Sequence, residues 1–234
     1  MRHALALLLF LFALTVRAED GAFTAELDKL SAQDDLGALI KRVNEPRTTE
    51  EMKQGLAWLR ARTMSGIGGS RMFYSYAGNL YKVGIKETAG FAYLVGLLFG
   101  RVDAARCADP SAPGDKLVRW DRNLQPIFQY FVALPLEERK KWVSMAITME
   151  AGIGNRAPDP WLCTGGLSYM RKFMEKHKDD AQPPAREIQD DTRVGRTILL
   201  DDPDIKPEYV ADDEWKARRQ QIVARFVEQL PAAK

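Results

Sequence analysis

KETAGFAYLVGLLFGRVDAARC, residues 86–107, carries no charge from Thr88 to Gly100, and Glu87 and Arg101 bracket that run. A membrane-spanning helix needs about 20 apolar residues, so this stretch is too short to cross a bilayer. A helix that is apolar on all sides has to be enclosed by other elements. The stretch therefore predicts the central buried helix of a domain. Gly96 and Gly100 lie four residues apart, so they share a face and let a neighbouring helix come close. Membrane helix dimers use the same spacing, but here the short span makes soluble packing the reading.

Working outward, nearly every segment has a helical period. In DDLGALIKRVNE, Leu36, Leu39, Ile40 and Val43 form one stripe after an Asp cap. TTEEMKQGLAWLRARTMSG starts with Thr48 and has Glu51 three residues on, which is a capping box. Its face is Met52, Leu56, Leu59 and Thr63, and Gly66 closes the end. In SRMFYSYAGNLYKVG, Ser70 is placed as the cap, Phe73, Tyr76, Ala77, Leu80 and Tyr81 as the face, and Gly84 as the stop. On the other side, DKLVRWDRNLQPIFQYFVALP aligns Leu117, Trp120, Leu124, Ile127 and Phe131, and Pro126 predicts a kink or a break into two helices. PLEERKKWVSMAITMEAG opens with Pro135 and first-turn acids and turns Trp142, Met145, Ala146 and Met149 inward. GLSYMRKFMEKHK is read as amphipathic through Leu167, Met170, Phe173 and Met174.

Residues 179–210 break this pattern, with four prolines and no helical stripe, and are expected to form an extended wrap or linker. RTILLDD within them suits one short strand. ADDEWKARRQQIVARFVEQL then predicts a last helix, residues 211–230, with Asp212 or Asp213 as cap and Trp215, Ile222, Val223, Phe226, Val227 and Leu230 facing the core. The expected class is all-α: an irregular bundle of about seven to eight helices over residues 19–178, one disulfide, and an extended C-terminal wrap that leads into a docking helix.

The chain opens MRHALALLLFLFALTVRAED, a basic start, an apolar core and a small-residue cleavage site. That pattern predicts a signal peptide over residues 1–18 and export, with the bacterial periplasm as destination. Residues 1–18 hold Arg2 and Arg17 and no acid, so the remainder balances 32 basic against 32 acidic residues. A neutral chain lacks the basic surplus of a nucleic-acid or anionic-membrane binder. No transmembrane segment is expected after the leader.

Two cysteines, Cys107 and Cys163, remain for an oxidising compartment, which favours a disulfide between them. A zinc site needs three or four ligands, and His177 is the sole histidine after residue 18. A thiol nucleophile needs a histidine partner and would leave the second cysteine unexplained. No metal or cofactor is expected. A Ser-His-Asp triad has only His177 to draw on, and that residue sits in MEKHKDD at a charged, solvated helix end. GIGGS at 66–70 lacks the lysine of a phosphate loop and serves as a connector. The acidic run Asp201, Asp202, Asp204, Glu208, Asp212, Asp213 and Glu214 lacks EF-hand spacing and reads as a solvated face, or as a surface for a basic partner.

Two stretches resemble known families. MEAGIGNRAPDPWLCTGGL, with Glu150, Ala151, Gly152, Asn155, Gly166 and Leu167, resembles the catalytic stretch of lytic transglycosylases and lysozyme-like muramidases. Ser168-Tyr169 stands where that family has Met-Gln. The resemblance implies a peptidoglycan-cleaving enzyme with Glu150 as general acid. RCADPSAPGD, ALPLEER and DPWLC, in the order Cys-loop-helix-Pro-helix-Cys, are similar to small helical periplasmic immunity proteins of type VI secretion systems. That second resemblance implies a non-catalytic domain that binds another protein, through a loop or an acidic patch. The missing catalytic constellations favour it, with Asn155, Arg156, Asp201, Asp202 and Asp204 as candidate contact residues. The disulfide would hold Glu150, Asn155 and Arg156 at one fixed corner.

Overall fold

The computed structural model describes residues 21–33, 36–153, 156, 158–181, 184–188, 197–200 and 202–232. The predicted signal peptide over residues 1–18, Asn155 and Asp201 lie outside the described residues. The chain is an all-α bundle of eleven helices among those residues, with one small hairpin. In order these are α1 (Ala22–Ala32), α2 (Leu36–Asn44), α3 (Thr49–Met64), α4 (Gly69–Lys82), α5 (Lys86–Ala104), α6 (Gly114–Asn123) and α7 (Gln125–Val132). They continue as α8 (Leu136–Gly152), α9 (Pro160–Cys163), α10 (Gly166–Lys176), β1 (Ala185–Ile188), β2 (Thr197–Leu200) and α11 (Asp212–Gln229).

The apolar run is the axis of the fold. Along α5, Ala89, Leu94, Val95, Leu98, Phe99 and Val102 are fully or almost fully buried, and α4, α6, α7, α8, α9 and α11 all pack on this helix. Its small residues allow the closest approach. A Cβ at Gly96 would sit 3.0 Å from the Phe73 Cβ and 3.4 Å from the Tyr74 backbone nitrogen, so α4 lies against bare backbone there. Phe73 and Phe99 then meet with ring centroids 5.0 Å apart, and Tyr74 stacks on Trp120 of α6 at 5.1 Å.

The larger helix count has identifiable causes. Pro126 falls in the first turn of α7, where its missing N–H costs nothing, so the single apolar stripe splits into α6 and α7 at Leu124. Pro160 starts the short α9 in the same way, with Asp159 as its cap. Helix α1 lies in a segment where no stripe stood out, and it buries Phe23 and Leu27.

Some expected caps move. Thr48 accepts from the Glu51 N–H at 3.1 Å, but the Glu51 carboxylate reaches past Thr48 to the Arg47 N–H at 2.6 Å. Ser70 is not a cap but a buried residue inside α4, which begins after Gly68 at φ +78°. Helix α11 begins after Ala211, so Asp212 and Asp213 occupy its first turn and act on the helix dipole instead.

The segment after α10 forms the hairpin, with Ala185 opposite Leu200 and Ile188 opposite Thr197. After a turn at 203–205 the chain runs back across the bundle to Val210. There Ala108 N–H donates to Glu208 O at 3.0 Å and Val210 N–H to Arg106 O at 2.9 Å. Helix α11 docks through buried Phe226 and Leu230, and Trp215 Nε1 donates to Val102 O at 3.1 Å. Among the described residues no helix is long and apolar enough to cross a membrane.

Candidate functional site

Cys107 and Cys163 are joined, with Cα atoms 5.1 Å apart. The bond ties the end of α5 to α9, and the intervening 108–113 loop gains a defined task. Helix α10 starts at Gly165-Gly166 and has no side chain of its own to cap it. Asp109 Oδ2 accepts from the Ser168 N–H at 2.7 Å and Ser111 Oγ accepts from the Leu167 N–H at 2.8 Å. The cap is thus supplied from across the disulfide. Hydrogen bonds from Ser111 and then Ser168 hold the Asp109 carboxyl below the usual range despite some burial. Gly166 has to be glycine: its φ is +78°, and a Cβ would come within 2.8 Å of the Ala112 nitrogen. Asp109→Ala is expected to cost about 1–2 kcal/mol, the usual loss for an N-cap, measured as a shift in the urea midpoint.

On the other side of the bond lies a buried ionic cluster. Glu150, the last carboxylate of α8, has no solvent exposure. Arg219 of α11 places its Nε 3.2 and 3.1 Å from the two Glu150 oxygens, and Arg156 Nη1 lies 3.4 Å from Oε1. Arg156 also donates through Nε to Asp103 Oδ2 at 3.1 Å, and its guanidinium carbon lies over the Phe99 ring, 3.8 Å from the centroid. Burial pushes the Asp103 carboxyl up to about 6, against the pull of Arg156 and Arg106. Arg106 stacks on Trp215 at 3.7 Å. Alongside, Arg71 forms a two-bond pair with Asp159, at 3.0 and 2.7 Å, and stacks on Trp161. Lys116 donates to the carbonyls of Trp161 and Thr164 at the end of α9, and burial lowers its ammonium to about 8.

Of the corner expected from the sequence, Glu150 and Arg156 are brought together, while Asn155 lies outside the described residues. Both Glu150 carboxylate oxygens are engaged by arginines, and the side chain has no exposure to solvent. A general acid in a glycosidase faces the glycosidic oxygen across an open cleft, whereas Glu150 is packed at a helix end. Two of the candidate contact residues, Arg156 and Asp202, turn inward. The Arg156 side chain is 6% exposed and that of Asp202 is 4% exposed, while Asp204 is exposed and paired with Lys176. Among the described residues no group of three or more His, Cys, Asp or Glu side chains is placed to hold a metal ion.

The sequence reading missed the outer face of α10. Leu167 is 66% exposed, Met170 42% and Met174 65%, three residues at one-face spacing that were expected to pack inward. Of the four expected residues only Phe173 is buried, and the inner face is completed by half-buried Tyr169, with His177 beyond them. The Tyr169 hydroxyl accepts from the Asp202 N–H at 2.9 Å, and the Phe173 ring lies 4.6 Å from that of His177. Both faces of α10 carry apolar residues at helical spacing, so periodicity alone could not choose between them. The signal that could have done so is the adjacent acidic run, which matches the lysines flanking the buried face. Lys172 pairs with Glu208, and Lys176 pairs with Asp202 and Asp204. No known protein family, curated protein or solved structure matches this chain.

Proposed function

We propose that this chain is a periplasmic, non-catalytic domain that binds another protein, in the manner of an immunity or accessory protein. The observation that carries the reading is the outer face of α10. Leu167, Met170 and Met174 form an apolar stripe left open on a helix whose other face is fixed by hydrogen bonds and ion pairs. Methionine-rich stripes suit adaptable protein contacts. Arg171 stands beside the stripe, exposed and with no acidic partner among the described residues, whereas Lys172, Lys176 and Lys178 are each paired within the chain. The partner that fits is a protein presenting an apolar ridge with a carboxylate beside it. The disulfide supports an oxidising compartment. The buried, paired state of Glu150 supports a structural role for the residue most able to act as a catalyst.

The test places a photo-crosslinking amino acid at Leu167 or Met174, and at exposed Lys53 on α3 as control, in the native cells. The reading expects one discrete adduct from both α10 positions and none from Lys53. Absence of an adduct at both α10 positions would count against it. The double variant Leu167→Ser, Met174→Ser is expected to lose the partner while its stability stays within about 0.5 kcal/mol of wild type, because both side chains already face water.

A further inference from the structure

His177 is held in an arrangement that a neutral imidazole cannot satisfy. Nδ1 contacts the Asp180 carboxylate, and Nε2 lies 2.8 Å from Asp202 Oδ2. Both partners only accept hydrogen bonds when ionised, and a neutral ring carries a single N–H. Both contacts are made at once only when the ring is doubly protonated. The side chain is 12% exposed and backed by the Phe173 ring, so water has little room to replace a lost partner.

From this geometry we infer that His177 is a pH-dependent latch, fastening the 202–205 start of the returning segment onto α10 in mild acid and loosening it as the ring loses its proton. The carboxylates around the ring favour its protonated form, while the Lys176 ammonium opposes it and is outweighed. Asp180 follows α10 in the chain, Asp202 and Asp204 lie on the returning segment, and Lys176 on α10 pairs with both of the latter at 2.7 and 2.9 Å. Hydrogen bonds to Asp180 and then to Asp202 raise the His177 pKa. Stability from the latch is therefore complete below the ordinary histidine value of about 6.5, and is lost as pH rises through the higher folded value. Lys176 and then His177 hold the Asp202 carboxyl well below the usual range, so that side of the latch gives way only in strong acid. The inference is independent of which partner α10 binds, but it sets the conditions under which the inner face of that helix is secured.

Two backbone amides report the latch and a third is the control. Asp204 N–H donates to Asp202 Oδ1 at 2.9 Å and Ile205 N–H to Asp202 O at 3.2 Å, both beside His177, whereas Val210 N–H donates to Arg106 O on the disulfide side. Hydrogen exchange of these amides is measured at about pH 5.5 and about pH 8, each rate divided by its intrinsic value at that pH. Wild type is expected to lose protection at Asp204 and Ile205 several-fold at the higher pH, with Val210 unchanged. Asp180→Asn is the decisive variant, because an amide can donate to the unprotonated Nδ1 while Nε2–H still serves Asp202. It is expected to stay latched at both pH values. His177→Gln is expected to show no pH dependence. The latch is overturned by equal protection at both pH values in wild type, by unchanged pH dependence in Asp180→Asn, or by Val210 loosening in step. A ring titration by NMR at or below about 6.5 would overturn it as well.

Discussion

Glu150→Ala is expected to destabilise the protein by about 3–5 kcal/mol, the cost of removing one member of a buried charge set. The alanine leaves a cavity at a position with no solvent exposure. It also takes from Arg219 and Arg156 the carboxylate they share. Arg156 is 6% exposed and keeps only its Asp103 pair, while Arg219, 27% exposed, can turn partly toward water. The loss therefore belongs at the lower end of that range. Because Arg219 is one of the ties between α11 and α8, loosening of the last helix should accompany the loss. Urea unfolding read by tryptophan fluorescence measures the first effect, and hydrogen exchange along residues 212–229 the second. The double variant Glu150→Ala, Arg219→Ala should cost less than the two single changes added together, since the partners share one interaction. A loss below about 1 kcal/mol, the scale of an exposed ion pair, would contradict the buried arrangement.

Removing the disulfide is the other large change. Cys107 and Cys163 are 56 positions apart, and closing a loop of that length should restrict the unfolded chain by about 4 kcal/mol. Cys107→Ala with Cys163→Ala is expected to lose that much, and a further share through α10. The 108–113 loop caps α10 only while the bond holds it there, and Tyr209 bridges Cys107 from the returning segment. Wild type in reductant should match the double variant in its unfolding midpoint. Equal midpoints for oxidised and reduced wild type would contradict the account.

Much of this fold is legible in the sequence because one signal dominates it. A run with no charge from Thr88 to Gly100 has one soluble solution, which is enclosure by amphipathic neighbours, and Gly96 marks where the closest of them sits. The disulfide is legible from the count of two cysteines and the leader-like opening of the chain. What is not legible depends on contacts between distant segments. Asp109 reads as a loop residue, yet it caps a helix that starts more than fifty positions later. His177 reads as a solvated helix end because the carboxylate of Asp202 that meets it arrives only after the hairpin turns the chain back. The choice between the two apolar faces of α10 follows from the same return of the chain. Glu150 shows the limit for function: a short motif can match a catalytic stretch while the burial of its key carboxylate is set by Arg219 on the last helix.

The most direct test of the central claim, that the charged corner builds the fold and performs no chemistry, compares wild type with Glu150→Gln in two assays on the same preparations. One assay measures the urea midpoint and the other measures release of soluble fragments from purified peptidoglycan. The account predicts no release by either protein and a clearly lowered midpoint for Glu150→Gln. Release by wild type, abolished in a Glu150→Gln protein of unchanged midpoint, would contradict it.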